Sequence, residues 1–148
     1  EVAPPPVPAG LRITKKVFDY YQKGMSVGIL GLSYKPNTDV IEESQGMYLA
    51  QALKDRKIKL NLHDPLALEN VKKILGDKNV AYFNNLTDCI KASDIIVITT
   101  NWPEYKNIKK KWLENNQKIV IDIWRLMDMD SLTKKTKYVP VGLAVSSE

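Results

Sequence analysis

The sequence predicts an α/β protein built on a doubly wound parallel sheet of five to six strands, with helices on both faces in three αβα layers. Three observations carry this. Short apolar runs recur at 27–32, 58–63, 80–83, 95–99, 118–123 and 137–141, and most are separated by stretches with helical character. The runs at 27–30 and 95–98 are continuously apolar instead of alternating, as parallel strands covered on both faces require. The chain has 148 residues, 44% apolar and 26% charged, which suits one domain with a single ordinary core. Strands alternating with helices in this way give a Rossmann-like topology.

Taken in order, residues 1–10 (EVAPPPVPAG) hold four prolines, which fix φ and remove amide donors, so they read as an extended linker or a cloning remnant. Leu11, Ile13, Val17, Phe18 and Tyr21 recur at helical spacing, with Gly24 as a stop, and residues 11–23 read as a connecting helix. The domain proper is expected over 24–148. Within it, helices are expected at 44–56, 67–75, 86–91 and 108–115, each preceded by a polar loop able to cap it.

Composition removes several classes of function. No apolar run approaches the roughly 18 residues that span a bilayer, and Glu1-Val2-Ala3-Pro4 lacks the basic and apolar regions of an export signal. The lone Cys89 cannot form an internal disulfide, which favours a reducing cytoplasm. One His and one Cys offer no cluster with metal-ligand spacing. The net charge of +5 suits an anionic ligand as well as a solvated surface, and by itself gives no reason to expect nucleic acid.

In a doubly wound sheet, ligands bind beyond the carboxyl ends of the strands, so the loop after the first strand matters most. It reads Gly31-Leu32-Ser33-Tyr34-Lys35-Pro36-Asn37-Thr38-Asp39. Only Gly28 and Gly31 stand where a dinucleotide fingerprint needs three glycines, and the loop is too long for the tight turn that aims a helix at a pyrophosphate. NAD in its usual pose is therefore disfavoured. The loop offers instead the Lys35 ammonium beside a rigid Pro36, with Asn37, Thr38 and Asp39 suited to local side-chain turns. Read alone, Lys35 is either an anion-holding residue or one of many surface lysines.

That run, ending in Glu43-Ser44 before a helix, resembles the opening of the carboxyl-terminal domain of the UDP-glucose/GDP-mannose dehydrogenase family, roughly G-L-[AS]-[FY]-K-P-x-T-D-D-x-R-x-S. The resemblance continues through His63-Asp64-Pro65, Ala92-Ser93-Asp94, Thr99-Thr100-Asn101-Trp102 and Glu104-Tyr105. Val40 replaces the pattern's second aspartate, Glu42 stands where arginine is frequent, and the pattern D-x-R-N becomes Asp122-Ile123-Trp124-Arg125, displacing its arginine by one residue. The resemblance implies one domain of a larger dehydrogenase that oxidises the C6 alcohol of a nucleotide sugar to the carboxylate with two NAD and a cysteine nucleophile. In that family an amino-terminal domain carries NAD, a long helix joins the halves and mediates a homodimer, and the carboxyl-terminal domain binds the nucleotide. The implied partner is a nucleotide sugar, UDP favoured over GDP, with no cofactor in this domain.

The candidate substrate contacts are Tyr34, Lys35 and Arg125. Lys35 would pair with phosphate or ribose oxygens. Tyr34 would offer its ring to the base or pack over the loop. Arg125 would suit a bidentate phosphate or ribose contact, with Trp124 either in the ligand's space or packed below it. No catalytic residue is expected here: Cys89 lies in an amphipathic segment without a histidine to activate it. Asp64, before Pro65, is placed either on a ribose or as a helix N-cap, while Trp102 and His63 read as packing residues. Lys106, Lys109, Lys110 and Lys111 read as a solvated face. Two rival functions stand beside this: a small independent NAD(P)-binding enzyme and an oligomerisation module.

Overall fold

The computed structural model describes residues 9–141. Most of the proline-rich start, residues 1–8, and the end of the expected domain, residues 142–148, lie outside the described residues. Six strands, β1 (Ser26–Leu30), β2 (Lys59–His63), β3 (Val80–Tyr82), β4 (Ile95–Ile98), β5 (Lys118–Asp122) and β6 (Thr136–Pro140), form one sheet. Every pairing is parallel and the order is β3-β2-β1-β4-β5-β6, so the chain reverses direction across the sheet between β1 and β4. The expected architecture is borne out, with six strands.

The helices are α1 (Ala9–Tyr20), α2 (Gln45–Asp55), α3 (Leu68–Leu75) and α4 (Leu86–Ala92). The starts of α2 and α4 follow from polar caps. The Ser44 hydroxyl accepts from the Met47 amide and the Asn85 side chain from the Asp88 amide, satisfying amides that have no partner inside a helix.

Alternate strand residues face two cores. Val27, Ile29, Leu60, Leu62, Ile95 and Val97 pack under Ile13 and Val17 of α1 and Leu49 and Leu53 of α2. Leu30, Ile96, Ile98 and Val120 pack under Cys89 and Ile90 of α4, with Tyr105, Ile108 and Leu113. Each fully buried aliphatic side chain contributes on the order of 1.5–3 kcal/mol, so both layers are fixed by packing.

The expected helix at 108–115 is not formed. Two 3₁₀ turns, Pro103–Asn107 and Lys110–Leu113, take its place. Four lysines crowd residues 106–111, and each short turn needs only to seat one apolar anchor, Tyr105 or Leu113, with Ile108 buried between them. The lysines are exposed, as their reading as a solvated face requires.

At the opposite end of the sheet Lys118 opens β5 almost without solvent exposure. Its ammonium donates to the carbonyls of Ser93 (2.7 Å) and Lys91 (3.4 Å), tying β5 to the end of α4, while burial lowers its pKa.

Candidate functional site

The carboxyl ends of β1 and β4 flank the point where strand order reverses, which is where an open α/β sheet leaves a crevice. The backbone turns sharply out of β1 at Gly31, whose φ is +107° and whose missing side chain makes room for Thr100. Fourteen residues, 31–44, separate β1 from α2. Nonetheless α2 returns close to the strand, because a Cβ on Gly46 would run into the Gly31 carbonyl. Gly46 thus performs the close-packing task of a third fingerprint glycine, but far down the sequence. Thr99 and Thr100, just past β4, fasten the first loop: Thr99 Oγ1 donates to the carbonyls of Leu30 (3.1 Å) and Gly31 (2.5 Å), and Thr100 Oγ1 donates to that of Ser33 (2.8 Å).

Asp64, after β2, is 4% exposed and accepts six donors. Its Oδ2 takes the amides of Leu32 (2.8 Å) and Ser33 (2.9 Å), the Ser33 hydroxyl (2.8 Å) and the Trp102 indole N–H (3.3 Å). Its Oδ1 takes the amides of Leu66 (2.9 Å) and Ala67 (2.8 Å). Asp64 therefore caps the turn into α3, as its place before Pro65 suggests, and also anchors the first loop. The Leu32 and Ser33 amides, which a bound pyrophosphate would need, are occupied by a carboxylate of the protein itself. Asp64 has no lone pair free for a ribose. With those amides taken, no third glycine at fingerprint spacing and the first loop long, the residues of this domain do not fit NAD.

Beside Asp64, His63 is buried against Tyr105, Nδ1 to hydroxyl 2.9 Å, and its Nε2 lies 3.8 Å from Glu104. Burial lowers the His63 pKa to about 4, opposed by the Asp64 charge. Burial likewise raises the Tyr105 phenol well above its ordinary value. Cys89 is sealed in the second core, its thiol pushed up to about 12 by desolvation, so it holds no reactive thiolate at neutral pH.

On the other side of the reversal point, a cavity of about 230 Å³ is lined by Tyr34, Glu43, Gln45, Thr99 and Trp124. Of the three sequence-predicted contacts, Tyr34 lines it, 58% exposed. Lys35 follows Tyr34 on an exposed turn closed by the Tyr34 amide on the Val40 carbonyl (2.7 Å), and the Thr38 hydroxyl accepts from the Val40 amide (3.2 Å). Lys35 is not part of the cavity lining. Neither is Arg125, which has a φ of +54° and lies close enough to Tyr138 for its charge to act on that phenol. The cavity wall is Trp124, 44% exposed, whose indole N–H donates to the Thr99 carbonyl (3.2 Å). The turn that carries it is held by the buried Asp122, which accepts from the amides of Leu126 (3.1 Å) and Met127 (2.9 Å) and from the Tyr138 hydroxyl (2.8 Å).

Sequence reasoning missed Glu43, Gln45 and Thr99 as lining residues. The rule that ligands gather past β1 and β4 would have found Thr99. Glu43 and Gln45 carry no signal of their own, because twelve and fourteen residues of loop, respectively, separate them from the strand end that they rejoin. A second cavity, of about 460 Å³, lies at the amino ends of β5 and β6 near Lys118, Lys135 and Lys137. It is on the wrong side of the sheet for a switch-point ligand.

A parallel sheet in this order, with its open crevice between β1 and β4, defines a Rossmann-like ligand-binding domain. The chain belongs to the UDP-glucose/GDP-mannose dehydrogenase family: the profile of that family's UDP binding domain matches residues 28–129. The UDP-glucose 6-dehydrogenase of Rickettsia conorii is 35% identical over 123 residues, covering 81% of this chain and 28% of that protein. The solved UDP-glucose dehydrogenase of the hyperthermophilic archaeon Pyrobaculum islandicum superposes with a TM-score of 0.65 at 28% identity, over 90% of this chain and 28% of its own. A GDP-mannose dehydrogenase from Pseudomonas aeruginosa has the same fold, with a TM-score of 0.67 at 20% identity over 87% of this chain and 30% of its own. The chain thus spans about 28% of the length of the first two relatives.

Proposed function

We propose that this domain binds the nucleotide part of a nucleotide sugar, a UDP-sugar in preference to a GDP-sugar, and supplies substrate affinity without hydride chemistry of its own. The whole protein is then a nucleotide-sugar 6-dehydrogenase that oxidises the C6 alcohol to the carboxylate with two NAD. NAD and the cysteine nucleophile belong to the part of the relatives' length that this chain does not span. The observation that carries the reading is the division of the strand ends: the amides a dinucleotide would use are filled by Asp64, while the neighbouring cavity stays open.

Tyr34 forms the wall on which part of the ligand rests. Lys35, on the turn beside it, supplies positive charge to the diphosphate, and among the described residues it makes no salt bridge that would hold it elsewhere. Arg125, exposed one residue beyond the Trp124 wall, is the second cation offered to phosphate or ribose. The expected dimer and a cytoplasmic setting belong to this reading, the latter supported by the buried, unpaired Cys89 thiol.

Calorimetric titration with UDP, UDP-glucose, GDP-mannose and NAD tests it, with NADH formation followed separately. Binding of the uridine nucleotides, weaker binding of GDP-mannose, none of NAD and no NADH formation are expected. Binding of NAD more tightly than UDP, or turnover above a mock preparation, would overturn the reading. Hydride transfer needs both reactants held within near-attack distance, which one domain cannot provide.

A further inference from the structure

We infer that the cavity of about 460 Å³ at the amino ends of β5 and β6 is a second binding site, one that takes a phosphate monoester carrying a single ring. It lies at the end of the sheet opposite the switch point, so it can be filled whether or not a nucleotide sugar occupies the crevice. Lys118, in its lining, is 1% exposed, and a buried ammonium needs three acceptors and a counter-charge to offset its lost water. Two of its N–H groups reach the carbonyls of Ser93 and Lys91, and the third has no acceptor among the described residues. No carboxylate among the described residues stands within salt-bridge distance of it. The Asp94 charge acts on Lys118 from further away, but that carboxylate is taken up by the Ser26 amide and hydroxyl and by the Asn116 side chain. Burial outweighs it and lowers the Lys118 pKa.

Lys135 and Lys137, at the start of β6, line the same cavity and likewise make no salt bridge among the described residues. The one lining carboxylate, Asp19 near the end of α1, lies 3.6 Å from Lys16, which is outside the lining. Three lysines are thus set against one carboxylate that is already paired. That excess suits a phosphate monoester, which carries a charge of about −1.5 to −2 at neutral pH. Lys135 also borders a neighbouring cavity of about 360 Å³ with Lys110 and Lys134 against a single acid, Glu114, so the rim does not cancel the charge. Tyr20, Met25 and Ile119, packed on the first core, give the cavity an apolar side for the face of a ring. Gln22 and Gln117 add amides that donate and accept at its edge. The volume falls within the roughly 300–1,000 Å³ of small-molecule sites, so phosphate and ring fit together, whereas inorganic phosphate would use the lysines and leave the apolar side bare.

Nuclear magnetic resonance on the isotopically labelled full chain tests this, with AMP, glucose 6-phosphate and inorganic phosphate titrated in one buffer. At least one of the two esters is expected to shift the amides of residues 117–119 and 135–137 saturably, at a Kd about tenfold or more below that of inorganic phosphate. The tighter ester tells whether the ring is a base-bearing nucleoside or a sugar. Replacing both Lys135→Ala and Lys137→Ala should weaken that ester about tenfold or more, and Lys118→Met about ten- to a hundredfold, while Lys109→Ala leaves it unchanged. If Lys118→Met fails to fold, as near-ultraviolet dichroism would show, the double variant decides alone. The inference is overturned if neither ester gives saturable shifts at these amides, if inorganic phosphate binds as tightly as both, or if the double variant behaves like Lys109→Ala.

Discussion

β2 and β5 both finish in a buried aspartate, Asp64 one residue beyond its strand and Asp122 as the last residue of its own, yet the two ends of the sheet do opposite things. Asp64 turns toward the first loop, gathers six donors and closes the ground where a dinucleotide's pyrophosphate would lie. Asp122 turns onto its own following residues and Tyr138, and the turn that it holds sets Trp124 against an open cavity. The same side chain at equivalent ends of parallel strands seals one half of the crevice and props the other open. What differs is the set of donors that the neighbouring loops supply. The proposed ligand site falls on the half where, among the described residues, Gln45 Oε1 is left without a donor.

The largest effect that would break this contrast is at Asp64. Asp64→Ala strands four backbone amides, a hydroxyl and an indole N–H, so we expect a loss of about 4 kcal/mol or more, or failure to fold. Urea unfolding followed by near-ultraviolet dichroism measures it, and a loss under about 1 kcal/mol would show that the closed half is not held by this carboxylate.

Next comes the acid limb beside it. His63 is neutral in the fold, with a pKa of about 4 against 6.5 unfolded. As pH falls from about 6.5 toward 4 the unfolded chain takes up a proton that the folded one refuses. Its contribution, at most about 3 kcal/mol, is thus complete above 6.5 and lost on acidification. The Glu104 carboxylate at 3.8 Å and the Asp64 charge favour the imidazolium and reduce the loss. Urea midpoints between pH 4 and 7 should fall with pH in the unmutated chain and flatten in His63→Gln. Parallel curves would remove His63 as the cause.

On the open half, Lys35→Ala should cost about 1.5–3 kcal/mol of UDP affinity, ten- to a hundredfold, and less than about 0.5 kcal/mol of stability. Lys109→Ala, from the solvated 3₁₀ segment, is the control. Equal small losses in the two variants would reduce Lys35 to an ordinary surface charge.

The smallest effect concerns the wall. Trp124→Phe keeps an aromatic face but loses the hydrogen bond to the Thr99 carbonyl, which should lower stability by about 0.5–1.5 kcal/mol. A neutral result by thermal unfolding would mean that the Asp122 turn alone holds the wall in place.

The strand pattern, the starts of α2 and α4 and the family motif could be read from the sequence, because they rest on local regularities: continuous apolar runs, a serine or asparagine before a helix, and a glycine-to-serine run of fixed spacing; α1, expected at 11–23, instead spans Ala9–Tyr20. Tyr34, which lines the cavity, and Lys35, which does not, were both picked out as candidates because they lie within that run. The turns at 103–113 were not. A stretch with helical spacing forms a helix only if packing favours it, and here isolated anchors are seated instead. The exchange of Trp124 for Arg125 at the cavity wall, the six-donor setting of Asp64 and the meeting of Gln45 with Thr99 were decided by tertiary structure. Each depends on which donors or walls distant segments bring to one point, and a linear sequence records a residue's chemistry but not the direction in which a neighbouring turn will aim it.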